Sequence, residues 1–372
     1  MSKVYINSIG AFLPGEPVKN SEIEEVLGLA DGKKSKNKAP VLRQNRIKTR
    51  HYSLDKDGNI RFSNAQMASY AIKEAVEKSE ISLSDIGFLA SSTTIGDVLL
   101  PGLSSNIQAE LNIGPIEIAS MQSVCASAMM AMKDAYLQVK ADEHECAAVC
   151  GSELSSRYLK ASFYENTEHF KKHGEIPMES DFLRFTLSDG AGATILENKP
   201  NEQGLSLEIK WIDIRSYSHR FDMCMVGGLS ENNDKFWGDY KSPTESENNG
   251  ALVLKQDFDL LYKMFPVWTS HYLDVIDRKS LDPDSVDYLC SHYSAHSLKL
   301  QALSLLQKTG AHIPEERWFS NLYTKGNTGT ASIFIILEEL FYSGKLKSGQ
   351  RILCHVPESG RCLNALMLLE VV

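Results

Sequence analysis

The sequence predicts an α/β protein built from two similar lobes. Short apolar strands alternate with amphipathic helices, which is typical of α/β folds. The same order of elements recurs in the second half of the chain, and such a repeat indicates duplicated lobes. At 372 residues, the chain has the length of about two domains. We therefore expect an N-terminal lobe over 1–204 and a C-terminal lobe over 205–372.

Composition narrows the class of protein. Hydrophobic residues make up 42% and charged residues 23%, as in soluble globular proteins. The net charge of -9 argues against a nucleic-acid partner, which would require a basic surface. The first residues lack a long apolar segment and no stretch approaches about 20 apolar residues, so we expect neither a signal peptide nor a membrane span. Seven scattered cysteines fit neither a disulfide framework nor a zinc site, so a reducing cytoplasm is expected.

The elements of the first half follow from apolar periodicity. An initial strand ending in Pro-Gly is followed by a basic segment, 29–52, that reads as a loop. A clean amphipathic helix comes next, and strands and helices then alternate up to a last buried strand. In order these segments read KVYINSIGAFLPG (strand), NAQMASYAIKEAVEKS (helix), IGFLASS (strand), SNIQAELNI (helix), IEIAS (strand) and ECAAVCGSE (strand).

The repeat becomes visible when the two halves are compared. SDIGFLASS (84–92) corresponds to DSVDYLCSH (284–292), and a helix follows each. SVCASAMMAM corresponds to GNTGTASIFI, as two small-residue helix starts, and ECAAVCGSE corresponds to RILCHVPESG. Because strand ends and helix starts form the ligand sites of α/β proteins, we expect Cys125, His292 and Asn327 to converge.

Each of the three residues also has a purely structural interpretation. Cys125 could pack as a small hydrophobe, His292 could be a satisfied buried histidine, and Asn327 could shape a turn. Their positions in the repeat favour catalysis. A cysteine at a helix start gains from the helix dipole, which favours a thiolate, and an adjacent imidazole would add to that effect.

The order of these motifs resembles a known family. Cys in SVCASAMMAM, His in LCSHYSAHS and Asn in GNTGTAS are similar to the β-ketoacyl-acyl-carrier-protein synthase III branch of the thiolase superfamily. IKTRHY resembles the segment that binds the pantetheine-bearing donor, and SDGAGATIL resembles the glycine-rich hairpin between the lobes. The resemblance implies a duplicated thiolase-like fold, layered αβαβα with two mixed sheets.

The resemblance also implies an acyltransferase that performs a decarboxylative or non-decarboxylative Claisen condensation. Cys125 would hold the acyl group, and His292 and Asn327 would stabilise the enolate of a second acyl thioester. Backbone N–H groups of Cys125 and of a residue near Gly360 would bind the oxyanion. The substrates would be thioesters of coenzyme A or an acyl carrier protein, with no tightly bound cofactor and no metal. A homodimer is expected from the same resemblance.

Further residues are candidates for binding or for acid–base chemistry. Arg43, Arg46, Lys48 and Arg50 could contact phosphates of the donor or be ordinary surface charges. Glu153 ends a buried strand and could be an acid or base for cyclisation, or it could cap a helix or face a dimer interface. An aromatic-rich insertion, 155–187, could line an acyl pocket or pack between subunits. The DGAGA segment lacks the third glycine of a dinucleotide fingerprint and reads as a tight turn.

Departures from the family pattern bear on the substrate. The Asn of the HQAN-like motif is missing, Arg46 replaces a usual glycine, and Gly360 stands where several glycines are usual. These differences favour the specialised ketosynthases that join and cyclise two acyl thioesters to cyclohexanediones, precursors of dialkylresorcinols. Three alternatives stay open: a fatty-acid-initiating synthase, a non-catalytic partner subunit, and a degradative thiolase using Cys362.

Overall fold

Ten strands form the central sheet of the protein, and four short strands form two small ribbons. The structure, a computed structural model, describes residues 2–372. The strands are β1 (Tyr5–Phe12), β2 (Val18–Lys19), β3 (Thr49–Arg50), β4 (Phe88–Thr93), β5 (Glu117–Gln122), β6 (Cys146–Glu153), β7 (Gly190–Glu197), β8 (Leu207–Ser216), β9 (Met225–Val226), β10 (Lys255–Gln256), β11 (Tyr288–Ser291), β12 (Trp318–Phe319), β13 (Arg351–Glu358) and β14 (Leu363–Val371).

Twelve α-helices connect and cover these strands. They are α1 (Ile23–Leu27), α2 (Lys38–Asn45), α3 (Asn64–Glu77), α4 (Leu103–Leu111), α5 (Ser127–Lys140), α6 (Glu168–His173), α7 (Met178–Arg184), α8 (Pro243–Asn248), α9 (Phe258–Arg278), α10 (His296–Thr309), α11 (Leu322–Lys325) and α12 (Ser332–Phe341). The predicted amphipathic helix is α3, whose N-terminus is closed by a capping box between Ser63 and Gln66.

The sheet has the same strand order in both halves of the chain. From the centre outwards the first half runs β1-β7-β6-β4-β5, and the second half runs β8-β14-β13-β11-β12. The α/β class and the mixed pairing are as predicted, but the hydrogen-bond ladder is continuous rather than divided into two sheets. The halves join where Tyr5 and Ile6 of β1 pair with Glu208 and Leu207 of β8. The division into lobes near residue 204 stays a prediction.

Two central helices are buried against strands of both halves. In α12, five consecutive residues from Ile333 to Leu337 are buried, and a helix that is apolar all round must lie inside the protein. In α5, Met129 and Met132 belong to the same core cluster as Phe334 of α12. The segments that precede these two helices therefore begin deep in the molecule, which is where the predicted catalytic motifs lie.

Two sequence predictions about local structure were wrong. The basic segment 29–52 is not a continuous loop, because Val41 is buried on α2 and β3 follows that helix. The DGAGA segment is not a tight turn or hairpin, since Gly190 opens the long buried strand β7. Its small residues are explained by packing. A Cβ on Gly192 would lie 2.5 Å from Cβ of Phe334, so a side chain there would push α12 away.

Candidate active site

Cys125 lies in the turn just before α5, at the centre of the molecule. Its side chain is buried, with 5% exposure. Asn327 lies in the turn before α12. This segment is bonded directly to the start of α5, because Ser127 Oγ donates to Thr330 Oγ1 over 2.9 Å. The two small-residue helix starts of the repeat therefore meet, as the sequence predicted from their equivalent positions.

Two buried glutamates hold these turns in a crossed arrangement. Glu153 ends β6 in the first half and accepts from Thr330 N–H (3.2 Å) in the second half. Glu358 ends β13 in the second half and accepts from Ala126 N–H (3.0 Å) and from Ser123 Oγ (2.6 Å) in the first half. Each half thus fixes the helix start of the other. Glu358 was missed from the sequence; it ends β13 as Glu153 ends β6, in the matched segments ECAAVCGSE and RILCHVPESG.

The pKa of the Cys125 thiol differs from the sequence prediction, which favoured a thiolate. Burial raises the pKa of its thiol well above the ordinary value, and the nearby carboxyl groups of Glu358 and Glu153 add to the shift. The resting residue is therefore a neutral thiol, and the helix start does not produce a stable thiolate. Glu358 also accepts from the Ala126 N–H, one of the backbone donors at the start of α5.

His292 follows β11 and presents an unsatisfied nitrogen to the interior. It is buried, and its Nε2 has no hydrogen-bond partner among residues 2–372. Burial lowers the pKa of His292 to about 4, and His355 nearby adds to this, so the ring is neutral at neutral pH. A buried polar atom without a partner is costly, so its retention points to a bound group that satisfies it.

Asn327 is held in one orientation by its own turn. Its Oδ1 accepts from Gly329 N–H over 2.9 Å, which leaves Nδ2 as the donating end of the amide. The residue is buried, with 3% exposure. Gly329 lies close to Glu153, because a Cβ on Gly329 would be 2.8 Å from Glu153 Oε1. Asn327 and Glu153 therefore approach the same space from two elements.

Two cavities meet at Cys125. The first, here called the α9–α10 cavity, has about 870 Å³ of empty space including its opening, and Cys125, His292 and His355 share its lining with apolar side chains of α9 and α10 such as Trp268 and Leu298. The second, here called the insertion cavity, has about 530 Å³ by the same measure. It is lined by Cys125, Glu153 and Asn327 together with residues of the 155–187 insertion. Cys125 and Ser294 line both.

The insertion contributes aromatic side chains to one of these cavities. Tyr158 and Phe182 line the insertion cavity, which agrees with the acyl-pocket interpretation. The insertion's other aromatic residues pack elsewhere. Tyr164 and Phe170 form a small separate core cluster, and Phe185 is buried in a larger one.

The candidate binding residues fall into two groups. Arg43, Arg46 and Lys48 are exposed, so donor binding stays a prediction for them. Arg50 requires a correction, because its side chain is fully buried and bonds Asn20 Oδ1 (2.9 Å) and the Phe185 carbonyl (3.2 Å). It cannot reach a phosphate from there, and its role is structural.

Gly360 lies beside the nucleophile turn. A Cβ at this position would be 2.9 Å from Val124 Cγ2, so the backbone of residue 360 packs directly on the residue before Cys125. Its carbonyl accepts from Cys224 N–H over 2.9 Å. A contribution of its N–H to an oxyanion site stays a prediction.

Glu153→Gln is expected to flatten the pH dependence of stability. Burial raises the pKa of Glu153 to about 7, so the folded protein keeps a proton that the unfolded chain loses near pH 4.5. The free energy of unfolding should therefore fall as pH rises from about 4.5 through 7, by at most about 3 kcal/mol. Glutamine has no such proton. Urea denaturation of both proteins across this range measures the effect, and equal slopes would contradict it.

Comparison with known proteins fits this geometry. Residues 276–368, which carry His292, Asn327 and Glu358, match the family model described as 3-oxoacyl-[acyl-carrier-protein] synthase III C terminal. A β-ketoacyl-[acyl-carrier-protein] synthase III from Clostridium perfringens is 23% identical over 354 residues, 95% of each chain. The chain thus matches the synthase III family over residues 276–368, and over nearly its whole length it is similar to β-ketoacyl-[acyl-carrier-protein] synthase III, an acyltransferase.

Solved structures support the synthase III-like fold over the whole chain. AbyA1, a tetronic acid condensing enzyme, superposes with a TM-score of 0.78 at 19% identity, covering 99% of both chains. A variant of OleA from Xanthomonas campestris gives 0.76 at 17% identity, covering 99% of this chain and 98% of that one. The synthase III from Pseudomonas aeruginosa gives 0.73 at 17% identity, with the same coverage.

Residues 2–372 contain neither a metal-binding cluster nor a membrane-spanning helix. Within them, no three or more His, Cys, Asp or Glu side chains are arranged to hold a metal ion. No helix in this range combines the length and the hydropathy needed to cross a membrane.

Proposed function

We propose that this chain joins two acyl thioesters by a Claisen condensation, with Cys125 carrying the first acyl group, and that it cyclises the product. The observation that carries the proposal is the position of Cys125 at the junction of two cavities. One cavity brings His292 to the thiol, and the other brings Asn327 and Glu153. The substrates are thioesters of coenzyme A or of an acyl carrier protein, the carrier that the relatives' names include.

The first step loads the enzyme. The Cys125 sulfur attacks the carbonyl carbon of the first thioester, the bond to the donor's sulfur breaks, and the proton of the resting thiol leaves with the departing thiol. One thioester replaces another, so the exchange is close to balanced in free energy. The apolar lining of the α9–α10 cavity, including Phe265 and Trp268, suits an alkyl chain.

The second step forms the carbon–carbon bond. His292 Nε2 and Asn327 Nδ2 donate hydrogen bonds to the carbonyl oxygen of the second thioester, and these bonds strengthen as that oxygen becomes an enolate. The enolate carbon then attacks the acyl carbon on Cys125, and the Cys125 sulfur is released. Each donor aimed at such an oxygen contributes about 3–4 kcal/mol of transition-state stabilisation.

Ring closure requires an acid or base beyond these residues. We assign this role to Glu153, whose pKa near 7 allows it to exchange a proton at neutral pH. Hydrogen bonds from Thr94 Oγ1 (2.6 Å) and Thr330 N–H (3.2 Å) hold the carboxyl group in place. The insertion cavity, which Glu153 shares with Asn327, gives the second chain a place next to the first.

The alternatives differ in what they require of the site. A non-catalytic partner subunit has no need of Cys125, His292 and Asn327 together, and this chain has all three. A thiolase needs a second reactive cysteine, but Cys362 is buried and lines neither cavity. A fatty-acid-initiating synthase uses the same three residues. Its products, however, distinguish its reaction from the one proposed.

Product analysis tests the proposal. The enzyme is incubated with a β-ketoacyl thioester and an unsaturated acyl thioester, and the products are identified by mass spectrometry. A six-membered ring carrying both chains is expected. A linear β-ketoacyl product alone would replace the cyclising function with simple chain extension. No carbon–carbon bond formation from these or from simpler thioesters would overturn the assignment as a condensing enzyme.

We also propose that two copies of the chain pair through β5. This strand is an edge of the ten-stranded sheet, and its residues, such as Ile118, are unusually exposed. Nearby, Leu99 and Leu100 are each 82% exposed, which is rare for a contiguous apolar tip on a monomer. Light scattering should give twice the monomer mass, and Ile118→Lys should reduce it. A monomeric wild-type protein would contradict the proposal.

A further inference from the structure

A second histidine faces the cavity that contains Cys125 and His292. His355 lies on β13, directly beside the end of β11, where Ser291 is its register partner. The backbone N–H of His292 donates to the His355 carbonyl over 2.9 Å. Both imidazoles line the α9–α10 cavity together with Cys125. His355 belongs to none of the three sequence motifs and takes no part in the loading or bond-forming steps proposed for the reaction.

A chain of hydrogen bonds runs from His355 to the protein surface. His355 Nε2 bonds Asn364 Oδ1 (2.9 Å), Asn364 Nδ2 bonds His271 Nδ1 (3.1 Å), and His271 Nε2 bonds Asp213 Oδ1 (3.0 Å). Arg278 Nη2 closes the chain on Asp213 Oδ2 at 3.0 Å. Of these residues, Arg278 is the most exposed, and Asn364 is fully buried.

The hydrogen-bond chain fixes the tautomer of His355. Asn364 Nδ2 also lies 3.4 Å from the Trp268 carbonyl, which only accepts, so the amide oxygen faces His355. His355 must therefore donate from Nε2. Its Nδ1 makes no hydrogen bond within residues 2–372. This nitrogen is also not one of the unpartnered polar atoms that are completely buried in the protein. Burial lowers the pKa of His355 to about 4, so the ring is neutral and Nδ1 carries a lone pair.

A condensation that proceeds without loss of CO2 requires a proton acceptor, which has not been assigned so far. In the proposed second step, His292 donates from Nε2 to the carbonyl oxygen, so it does not take a proton from the adjacent carbon at the same nitrogen. We propose that His355 Nδ1 removes the C2 proton of the second acyl thioester, as a further catalytic residue of the condensation. This inference rests on the proposed function and adds the base that it lacks.

The step balances within the groups already described. The C2–H bond breaks, its electron pair forms the enolate, and the proton moves to His355 Nδ1. The enolate carbon bonds to the acyl carbon on Cys125, and the Cys125 sulfur departs as a thiolate. The proton on His355 then neutralises that thiolate. The resting thiol and the neutral imidazole are restored without any further reactant.

Burial and the nearby His271 oppose positive charge on His355, whereas its hydrogen bond to Asn364 favours it. The charges at the far end of the hydrogen-bond chain act on His271. Asp213 is the carboxylate at its far end, and its hydrogen bonds to His271 and Arg278 hold its pKa below the ordinary value despite its partial burial. Asp274 also favours positive charge on His271, whereas Arg215 opposes it. Asn364 and His271 thus connect the base to a stable negative charge.

The test separates acylation from condensation. His355→Gln is compared with wild-type enzyme and with His219→Gln, a matched change at an exposed histidine. Acylation of Cys125 by an acyl-CoA is followed by intact mass, and condensation is followed by product formation. We expect H355Q to acylate at the wild-type rate and to lose condensation by roughly 10²-fold or more, with H219Q unchanged. Equal condensation by H355Q and wild type would overturn the inference, as would equal losses in both steps.

Two variants outside the cavity provide a second test. Asp213→Asn keeps the shape of the carboxylate but removes its charge, so condensation should slow by roughly 3- to 10-fold with acylation unchanged. Arg278→Gln removes the opposing charge and should not slow condensation. If the hydrogen-bond chain served only to hold the fold, D213N and R278Q would change the condensation rate to the same extent. That result would overturn the inference. Absence of condensation by the wild-type enzyme would instead refute the proposed function.

Discussion

Cys125→Ala is expected to abolish condensation, lowering the rate by about 10⁴-fold or more. The reason is that Cys125 is the one cysteine that lines the two cavities, and no other thiol is placed to carry the acyl group. The variant should also fail to gain mass when mixed with an acyl-CoA. Folding should be little affected, because the change removes one sulfur from a small-residue turn.

Cys362→Ala is the matched control for this variant. Cys362 is buried and lies outside both cavities, so acylation and condensation should persist. The opposite pattern, with acylation lost in C362A and kept in C125A, would favour the thiolase alternative over the synthase. Retained condensation in C125A would contradict the account of the nucleophile.

Loss of either oxyanion donor should slow condensation by about 10²–10³-fold. His292→Ala removes the unpaired Nε2, and Asn327→Ala removes the oriented Nδ2. Both donors act on the second thioester, so acylation of Cys125 should fall much less than condensation. Rapid-quench measurement of the two half-reactions provides the comparison.

Asn327→Asp sharpens the second prediction. The aspartate keeps the size of the side chain and can still accept from Gly329 N–H, but it places an acceptor where Nδ2 was. We expect a loss at least as large as that in N327A. Condensation by N327D at the wild-type rate would show that Asn327 only shapes its turn, which is the structural interpretation that the sequence left open.

The parts of the fold that repeat could be predicted from the sequence. The equivalence of the helix starts at Cys125 and Asn327 was readable because both follow an apolar strand at similar spacing, and the contact between Ser127 and Thr330 follows from it. The symmetric strand order is consistent with the same repeat. Short-range patterns were less informative. DGAGA looked like a turn because its glycines are needed for packing against α12, a partner about 140 positions away in the chain.

Burial and long-range partners explain what the sequence could not show. Arg50 looked like its exposed neighbours Arg46 and Lys48 because nothing local indicates that its guanidinium turns inward to Asn20 and Phe185. The pKa of Cys125 is raised first by burial and then by Glu358, more than 230 positions away. The hydrogen-bond chain from His355 to Asp213 joins four elements, β13, β14, α9 and β8, drawn from separate parts of the sequence.

The most direct test of the account follows one labelled acyl group through the enzyme. The protein is loaded with an isotope-labelled acyl-CoA, freed of excess substrate, and then given an unlabelled β-ketoacyl thioester. Peptide mapping should find the label on Cys125 before the second addition, and afterwards in a product joined by a new carbon–carbon bond. Label on any other residue, or label that returns only as the free acid, would contradict the claim that two acyl groups meet at Cys125.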